Sequence, residues 1–184
     1  ATGAIRVYRL GVDPGRVDSE IGALARASSR HLVRLDDLTT GPDGMPCLIL
    51  QRLSPQSLGR LLANRQPLSG EAVTILGPLA LAVAELHRVG VAHGAVRPSA
   101  VLFDEAGAPV LASFGSAELF GDLPEEPASA SLPPALLARE ASVARDLDGL
   151  VNLCLATLGS SGDDVTRWLA REREHDPCTF PSEL

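Results

Sequence analysis

Residues 93–115 read His-Gly-Ala-Val-Arg-Pro-Ser-Ala-Val-Leu-Phe-Asp-Glu-Ala-Gly-Ala-Pro-Val-Leu-Ala-Ser-Phe-Gly. Two short apolar runs, Val101–Phe103 and residues 110–112, flank the turn-forming residues 104–109, and this pattern predicts a β-hairpin. A loop that begins at His93 precedes the hairpin, and residues 113–115 follow it directly. The stretch therefore predicts a loop, a hairpin and a second loop in immediate succession.

The composition of the 184-residue chain narrows the classes of function. The formal net charge is −7, and an acidic balance argues against sequence-independent binding of nucleic acid. The chain contains no lysine, so every basic side chain apart from four histidines is arginine.

Cys47, Cys154 and Cys178 form neither a disulfide framework nor a zinc spacing, which predicts free thiols in a reducing cytoplasm. We expect no membrane segment, because no apolar run approaches about 18 residues, and no signal peptide. The sequence leaves open whether the chain is part of a larger, membrane-anchored protein.

Apolar periodicity and turn signals predict an α+β chain without internal repeats. The predicted elements, in order, are a strand over residues 4–10, a helix capped by Asp18 or Ser19, a hairpin over 32–38 and 47–53, a short helix within 54–64, a long helix from Ser69 containing Pro78, the hairpin after His93, a loop over 118–134, a buried helix over 141–158 and a last helix from Asp163 or Asp164.

The loop–hairpin–loop stretch resembles the catalytic core of serine/threonine protein kinases, whose pattern is H-R-D-L-x-x-x-N followed by D-F-G. Ala95 stands where that pattern has its first Asp, Ala100 where it has Asn, and Ser113 where it has the second Asp. The resemblance implies one kinase-like domain over residues 1–184 with a two-lobed fold. Residues 1–53 would form a truncated small lobe without the glycine-rich loop, and residues 54–184 a shortened helical large lobe.

The resemblance also implies a vestigial nucleotide site. Arg6 is similar to the strand lysine that holds phosphates, and Glu20 to the glutamate that pairs with it, so an Arg6–Glu20 ion pair is expected. Arg97 resembles the lysine of the catalytic loop. The remaining positions resemble a gatekeeper at Leu50, a hinge that includes Gln51 and Leu53, and the residues around an adenine at Ala4 and Leu102.

Four further residues match the structural core of the family: Leu24, His93, Phe114 and Asp146. In the family the Asp at the position of Asp146 caps the backbone of the catalytic loop. We expect His93 to be structural rather than a metal ligand or a general base, because no second histidine, cysteine or acidic ligand pattern lies near it.

The predicted function is that of a catalytically inactive pseudokinase, a regulatory or scaffolding module in signalling. The expected partner is a protein, such as a cognate serine/threonine kinase or a phosphopeptide-binding signalling protein. No cofactor is expected: magnesium is disfavoured, and the sequence leaves ATP binding open.

Three alternatives remain. The first is a nucleotide sensor without phosphoryl transfer. The second is an atypical active kinase or small-molecule phosphotransferase, since His93-Gly94 is similar to the H-G-D loop of aminoglycoside and choline kinases. The third is a decayed gene product that folds without a function.

Overall fold

The computed structural model describes residues 4–8, 13–41, 44–120 and 134–159. They form a mixed fold of helices and short antiparallel sheets, which confirms the predicted α+β class. The elements are β1 (Ala4–Val7), α1 (Pro14–Arg26), β2 (Leu35–Thr40), β3 (Pro46–Leu50), α2 (Leu58–Asn64), α3 (Ser69–Arg88), β4 (Val91–Ala92), β5 (Val101–Phe103), β6 (Pro109–Leu111), β7 (Glu118–Leu119) and α4 (Pro134–Leu158), with single 3₁₀ turns at Pro98–Ala100 and Phe114–Ser116.

The first sheet has the antiparallel order β1-β3-β2. Its central strand pairs Leu48 with Arg6 on one side and with Leu38 on the other, and Leu48 is fully buried. The predicted hairpin of residues 32–53 therefore forms, but its first strand begins three residues later than predicted. Leu32 and Val33 pair instead with Leu111 of the β5–β6 hairpin.

Residues 31–33 connect this first sheet to the β5–β6 hairpin. The backbone N–H of Val33 donates to the carbonyl of Leu111 at 2.9 Å, and the N–H of Leu111 donates to the carbonyl of His31 at 2.8 Å. The imidazole Nδ1 of His31 also donates to the carbonyl of Pro109 at 2.8 Å. These bonds saturate the free edge of β6, so the two sheets are held in one core.

Helix α1 begins earlier than predicted. The predicted cap was Asp18 or Ser19, but the helix begins at Pro14 and Asp13 is its N-cap, with its carboxylate accepting from the N–H of Gly15 at 3.1 Å. Proline suits a first helical position because its ring presets φ and its missing N–H needs no partner there. The face that carries Val17, Glu20 and Leu24 is buried.

Helix α3 follows the prediction, and it runs through Pro78 without a break. Six residues of one face are buried in the core: Ala72, Ile75, Leu79, Ala82, Val83 and Leu86. Among the described residues this is the one helix long and apolar enough to cross a membrane, contrary to the expectation that no segment reaches that length. A core helix passes the same test, so its length and composition carry no further conclusion.

Helix α4 begins at Pro134, seven residues before the predicted start, and ends at Leu158. Its buried face carries Ser142, Asp146, Leu153 and Thr157. The helix over 141–158 was predicted to be buried, but it is buried on one face only, and Leu147 is 40% exposed. The predicted loop over 118–134 begins with strand β7, and its residues 121–133 lie outside the described residues, as does the predicted helix from Asp163 or Asp164.

Candidate functional site

The loop that begins at His93 is held in place by a buried carboxylate of α4. Asp146 is fully buried, and its Oδ2 accepts from the backbone N–H of His93 at 2.7 Å while its Oδ1 accepts from the N–H of Gly94 at 2.8 Å. The Nε2 of His87 donates to Oδ2 at 2.9 Å. Three N–H donors compensate the cost of burying this charge. The loop is therefore fixed by a residue more than fifty positions away in sequence.

His93 occupies the centre of the loop and uses both of its ring nitrogens. Its Nε2 donates to the carbonyl of Ala112 at 2.9 Å, so Nε2 carries the proton, and its Nδ1 accepts from the N–H of Ala95 at 3.3 Å. Burial lowers the pKa of His93 below its ordinary value. The ring of Phe114 meets the imidazole edge-on, with centroids 4.8 Å apart. A neutral imidazole with both nitrogens engaged has no free group for metal or substrate.

The three positions where the kinase pattern has its two Asp residues and its Asn lie around this histidine. Ala95 is half-buried, and Ala100 is buried with its carbonyl accepting from the N–H of Ala112 at 2.8 Å. Ser113 is exposed and has a left-handed backbone, with φ of 69° and ψ of 53°. Left-handed backbone is uncommon for residues other than glycine and clusters at functional sites. The loop therefore keeps a strained conformation without a carboxylate on it.

Gly94 is needed for the close approach of the two loops. Its φ is +74°, and a side chain on it would collide with the carbonyl oxygen of Ser116. Both facts exclude larger residues from this position without a change of the backbone. The sequence shows the glycine, but only the packing of residues 93–97 against 113–117 explains it.

A second cluster joins β1 to α1. The Nη1 of Arg6 lies 3.0 Å from Oε1 of Glu20, which is the ion pair expected from the sequence, and the Glu20 side chain is only 3% exposed. The hydroxyl of Tyr8 donates to the other oxygen of Glu20 at 2.8 Å. Burial and this bond to Glu20 raise the pKa of Tyr8 above its ordinary value. Glu20 thus has a cation on one oxygen and a hydroxyl on the other.

The guanidinium of Arg6 also lies close to Gly115. A Cβ built on Gly115 would lie 2.8 Å from Nη2 of Arg6, and the guanidinium carbon lies 5.6 Å from the centre of the Tyr8 ring. The Arg6 head group therefore lies between the first sheet and the loop that follows β6. The sequence predicted the pair with Glu20 but missed Tyr8. An alternating strand pattern could have found it, because residues two apart share a face.

The other predicted nucleotide-site residues are distributed over the first sheet, the segment that follows β3, the loop that begins at His93, and the β5–β6 hairpin. Ala4 pairs with Leu50 across β1 and β3, while Leu53 and Leu102 are half-buried. The backbone N–H of Gln51 donates to the carbonyl of Arg34 at 2.9 Å, and Arg97 is exposed. Of the eight predicted residues, the structure brings Arg6 into direct contact with Glu20 and pairs Ala4 with Leu50.

Strand β7 is anchored to α4 by a contact that the sequence did not indicate. Glu118 accepts from the hydroxyl of Ser142 at 2.5 Å and from Nη1 of Arg145 at 3.0 Å. The hydrogen bond from Ser142 and the guanidinium of Arg145 lower the pKa of Glu118, although partial burial opposes them. The segment after Gly115 is therefore fixed to α4 at strand β7.

A polar cleft of about 550 Å³ lies between the start of α1, Gly94 of the His93 loop and residues 115–118. It is lined by Asp13, Gly15, Arg16, Ser19, Gly94, Gly115, Ser116, Ala117, Glu118 and Arg145. Within the described ranges no group of three His, Cys, Asp or Glu side chains has the arrangement of a metal site.

The chain shares partial sequence similarity with mycobacterial kinases, although no family model matches it. It is 36% identical over 98 residues to the serine/threonine-protein kinase PknL of Mycobacterium tuberculosis, an alignment of 52% of this chain and 24% of PknL. It is 28% identical over 142 residues to the serine/threonine-protein kinase PknK of the same organism, which covers 74% of this chain and 13% of PknK.

The chain thus spans a quarter or less of the length of these curated relatives. The similarities support a relationship to the bacterial serine/threonine protein kinases, as the residues of the loop–hairpin–loop stretch predicted.

Proposed function

We propose that this chain is a pseudokinase domain: a relative of the bacterial serine/threonine kinases that transfers no phosphoryl group and acts as a protein-interaction module. In this proposal residues 1–53 correspond to a small lobe and residues 54–184 to a large lobe of the two-lobed kinase fold. The observation that carries the proposal is the presence of Ala95, Ala100 and Ser113 in a loop–hairpin–loop stretch whose first loop is held by Asp146 and His93.

The chemistry of phosphoryl transfer supports this proposal. The reaction depends on metal ions that bridge the phosphates and on a carboxylate that accepts the proton of the attacking hydroxyl. The methyl groups of Ala95 and Ala100 have no lone pair to offer, and the hydroxyl of Ser113 is a weak magnesium ligand compared with a carboxylate. These three side chains therefore support a chain that transfers no phosphoryl group.

The surroundings of Arg6 also support it. Its guanidinium is engaged with the buried carboxylate of Glu20 and packed against Gly115. Arginine is not a neutral replacement for lysine, because its planar fork favours bidentate partners and is bulkier. The ion pair with Glu20 is the one that the kinase pattern expects, but Arg6 is not equivalent to the lysine that holds the phosphates there.

The interaction role rests on what the loop keeps. Asp146, His93 and Phe114 still organise residues 93–115, and Ser113 keeps its strained backbone. Strain of this kind costs on the order of 1–3 kcal/mol and persists only where the surrounding structure imposes it. A loop held in shape without chemistry is suited to binding, and we propose a signalling protein as its partner.

The proposal is tested by two assays on the same protein. Incubation with labelled ATP and magnesium or manganese, with a general kinase substrate present, should give no transfer to the chain or the substrate. Thermal unfolding with millimolar ATP should give no rise in melting temperature, whereas a ligand at about 100 times its Kd stabilises by about 2.7 kcal/mol.

Each positive result has a distinct meaning. Transfer above background that is lost in Arg97→Ala would overturn the inactive assignment. A rise in melting temperature without transfer, with or without magnesium, would instead support a nucleotide sensor.

A further inference from the structure

A second concavity lies away from the His93 loop, between the β5–β6 turn and helices α2 and α3. Its volume is about 620 Å³. It is lined by Ser54, Gln56, Leu61, Asn64, Arg65, Pro67, Glu71, Thr74, Ile75, Phe103, Asp104, Glu105 and Gly107. We call this concavity the α2–α3 groove.

The inner surface of the α2–α3 groove is apolar. Ile75 is 7% exposed, Pro67 is buried, and Leu61 and Phe103 are half-buried, so these side chains form its floor. Leu68 follows Pro67 directly, and its side chain is 73% exposed. An apolar floor next to an exposed leucine is a surface that gains free energy when another apolar group covers it.

The rim of the groove has an unbalanced negative charge on the hairpin side. Asp104 is held in the turn, where its Oδ1 accepts from the N–H groups of Ala106 and Ala108 at 2.9 and 2.8 Å. Glu105 beside it is exposed. Neither carboxylate forms an ion pair in the part of the chain that the structure describes.

The helix side of the rim is electrically neutral. Arg65 donates from both of its terminal nitrogens to the two oxygens of Glu71, at 2.7 and 2.9 Å, and the backbone N–H of Leu68 donates to the same carboxylate. The hydrogen bond from Arg65, followed by that from Leu68, lowers the pKa of Glu71 to about 2, so this carboxylate stays ionised beside its cation. The net charge around the groove is therefore that of Asp104 and Glu105.

We propose that the α2–α3 groove binds an extended peptide segment of a partner protein, with arginine or lysine side chains near Asp104 and Glu105 and aliphatic side chains on Leu61, Ile75 and Phe103. This inference rests on the proposed interaction role and names the chemistry of the partner. The groove has exposed walls at Gln56, Asn64 and Arg65, whereas small ligands favour enclosed pockets that bury most of their surface. An apolar floor with a charged rim suits an extended peptide, which alternates the side chains that it presents.

The test uses fluorescein-labelled peptides and measures binding by fluorescence anisotropy. The panel carries two arginines followed, at varied spacing, by two leucines, and contains no serine or threonine. At least one spacing should bind. Replacing its leucines by alanine should weaken binding about tenfold or more, and replacing its arginines by glutamate should abolish it.

Variants of the protein locate the site. Glu105→Lys should weaken binding about three- to fivefold and reduce its dependence on salt, because it replaces one exposed negative charge of the rim by a positive one. Thr74→Trp, which places a large ring in the groove from an exposed helix position, should abolish it. Asp148→Lys is the matched control: it makes the same change of charge at an exposed position on α4 outside the groove and should bind like the parent.

The proposal fails if no spacing binds, or if Glu105→Lys and Thr74→Trp bind as tightly as Asp148→Lys while all three unfold at the parent temperature. If no peptide binds and the chain self-associates in a concentration-dependent way that Thr74→Trp removes, the groove binds a second copy of the chain. That result would also overturn the peptide proposal. Phosphoryl transfer is measured on the same samples. Transfer together with peptide binding would refute the inactive assignment and leave the groove assignment standing, so the two failures are distinguishable.

Discussion

At the scale of single residues, His93 connects the loop, the hairpin and the segment after it. The imidazole is fully buried, donates to the carbonyl of Ala112 and accepts from the N–H of Ala95. Only the neutral ring fits these two bonds, because a protonated ring would aim a second N–H at the Ala95 donor. Asp146 favours the charged form and Arg97 disfavours it, but burial is the largest effect on its pKa.

We expect the fold to lose stability as the pH falls below the ordinary histidine pKa of about 6.5. The folded-state pKa of His93 lies below that value, so the unfolded chain binds more protons between the two pKa values. The free energy of unfolding should therefore decrease with falling pH, by at most about 1.4 kcal/mol per pH unit for this group. Urea unfolding between about pH 5.5 and 7.5 measures it.

His93→Gln, which keeps one side-chain N–H, is the comparison for this titration. His31 and His87 are present in both proteins and cancel in the difference. The pKa values of Glu71, Glu85 and Glu118 are lowered, so these carboxylates lose their stabilising contribution only at more acidic pH. Equal slopes for the parent and His93→Gln would show that His93 does not titrate on unfolding.

At the scale of elements, α4 supports the loop through a close approach at Gly149. A Cβ built on this glycine would lie 2.6 Å from the carbonyl oxygen of Val96 and 2.8 Å from its Cβ. Gly77 on α3 has no atom within 4 Å of such a Cβ. The two glycines lie inside helices but differ in what surrounds them.

Alanine substitutions at these two positions should have opposite effects. Gly77→Ala should raise the free energy of unfolding by about 0.5–1 kcal/mol, because alanine is the better helix former and nothing obstructs its methyl group. Gly149→Ala should lower it by about 1–3 kcal/mol, because its methyl group overlaps backbone atoms of the loop. Denaturant unfolding of both variants measures the difference, and equal stabilisation by the two would contradict the packing of α4 on residues 93–97.

At the scale of the whole molecule, three substitutions test whether the missing side chains are the only obstacle to catalysis. We expect Ala95→Asp, Ala100→Asn and Ser113→Asp together to give no phosphoryl transfer, because the chain has no lysine and the bulkier planar guanidinium of Arg6, packed on Gly115, is not a neutral replacement for one. Transfer of labelled phosphate from ATP with magnesium is the measurement.

Thermal unfolding controls for folding of this variant, since Ala100 is 1% exposed and an asparagine there adds volume to the core. The double variant Ala95→Asp with Ser113→Asp leaves that buried position intact and should be equally inactive. Robust transfer by either protein would show that the lost catalytic groups were the sole defect.

Much of the fold could be predicted from local patterns. The sequence indicated the α+β class, the pairing of the first hairpin, the long helix through Pro78 and the hairpin after the His93 loop. Its errors lie at element ends, such as the starts of α1 and α4, in the burial of α4, and in the apolar length of α3. The sequence contains Asp13, which caps α1, and Pro14, which is its first residue. It did not decide between Asp13 and the later candidates Asp18 and Ser19, because the cap is the residue that the folded chain leaves outside the helix.

The sequence by itself determined which side chains stand at positions 95, 100 and 113, because Ala95, Ala100 and Ser113 carry no carboxylate or amide wherever the chain places them. Only the tertiary structure decided how the loop is held: Asp146 on His93 and Gly94, Tyr8 on Glu20, and the contact that requires glycine at position 94. These contacts join residues far apart in sequence, and their geometry depends on how helices and sheets pack. Composition is local, whereas burial and hydrogen-bond partners belong to the folded chain.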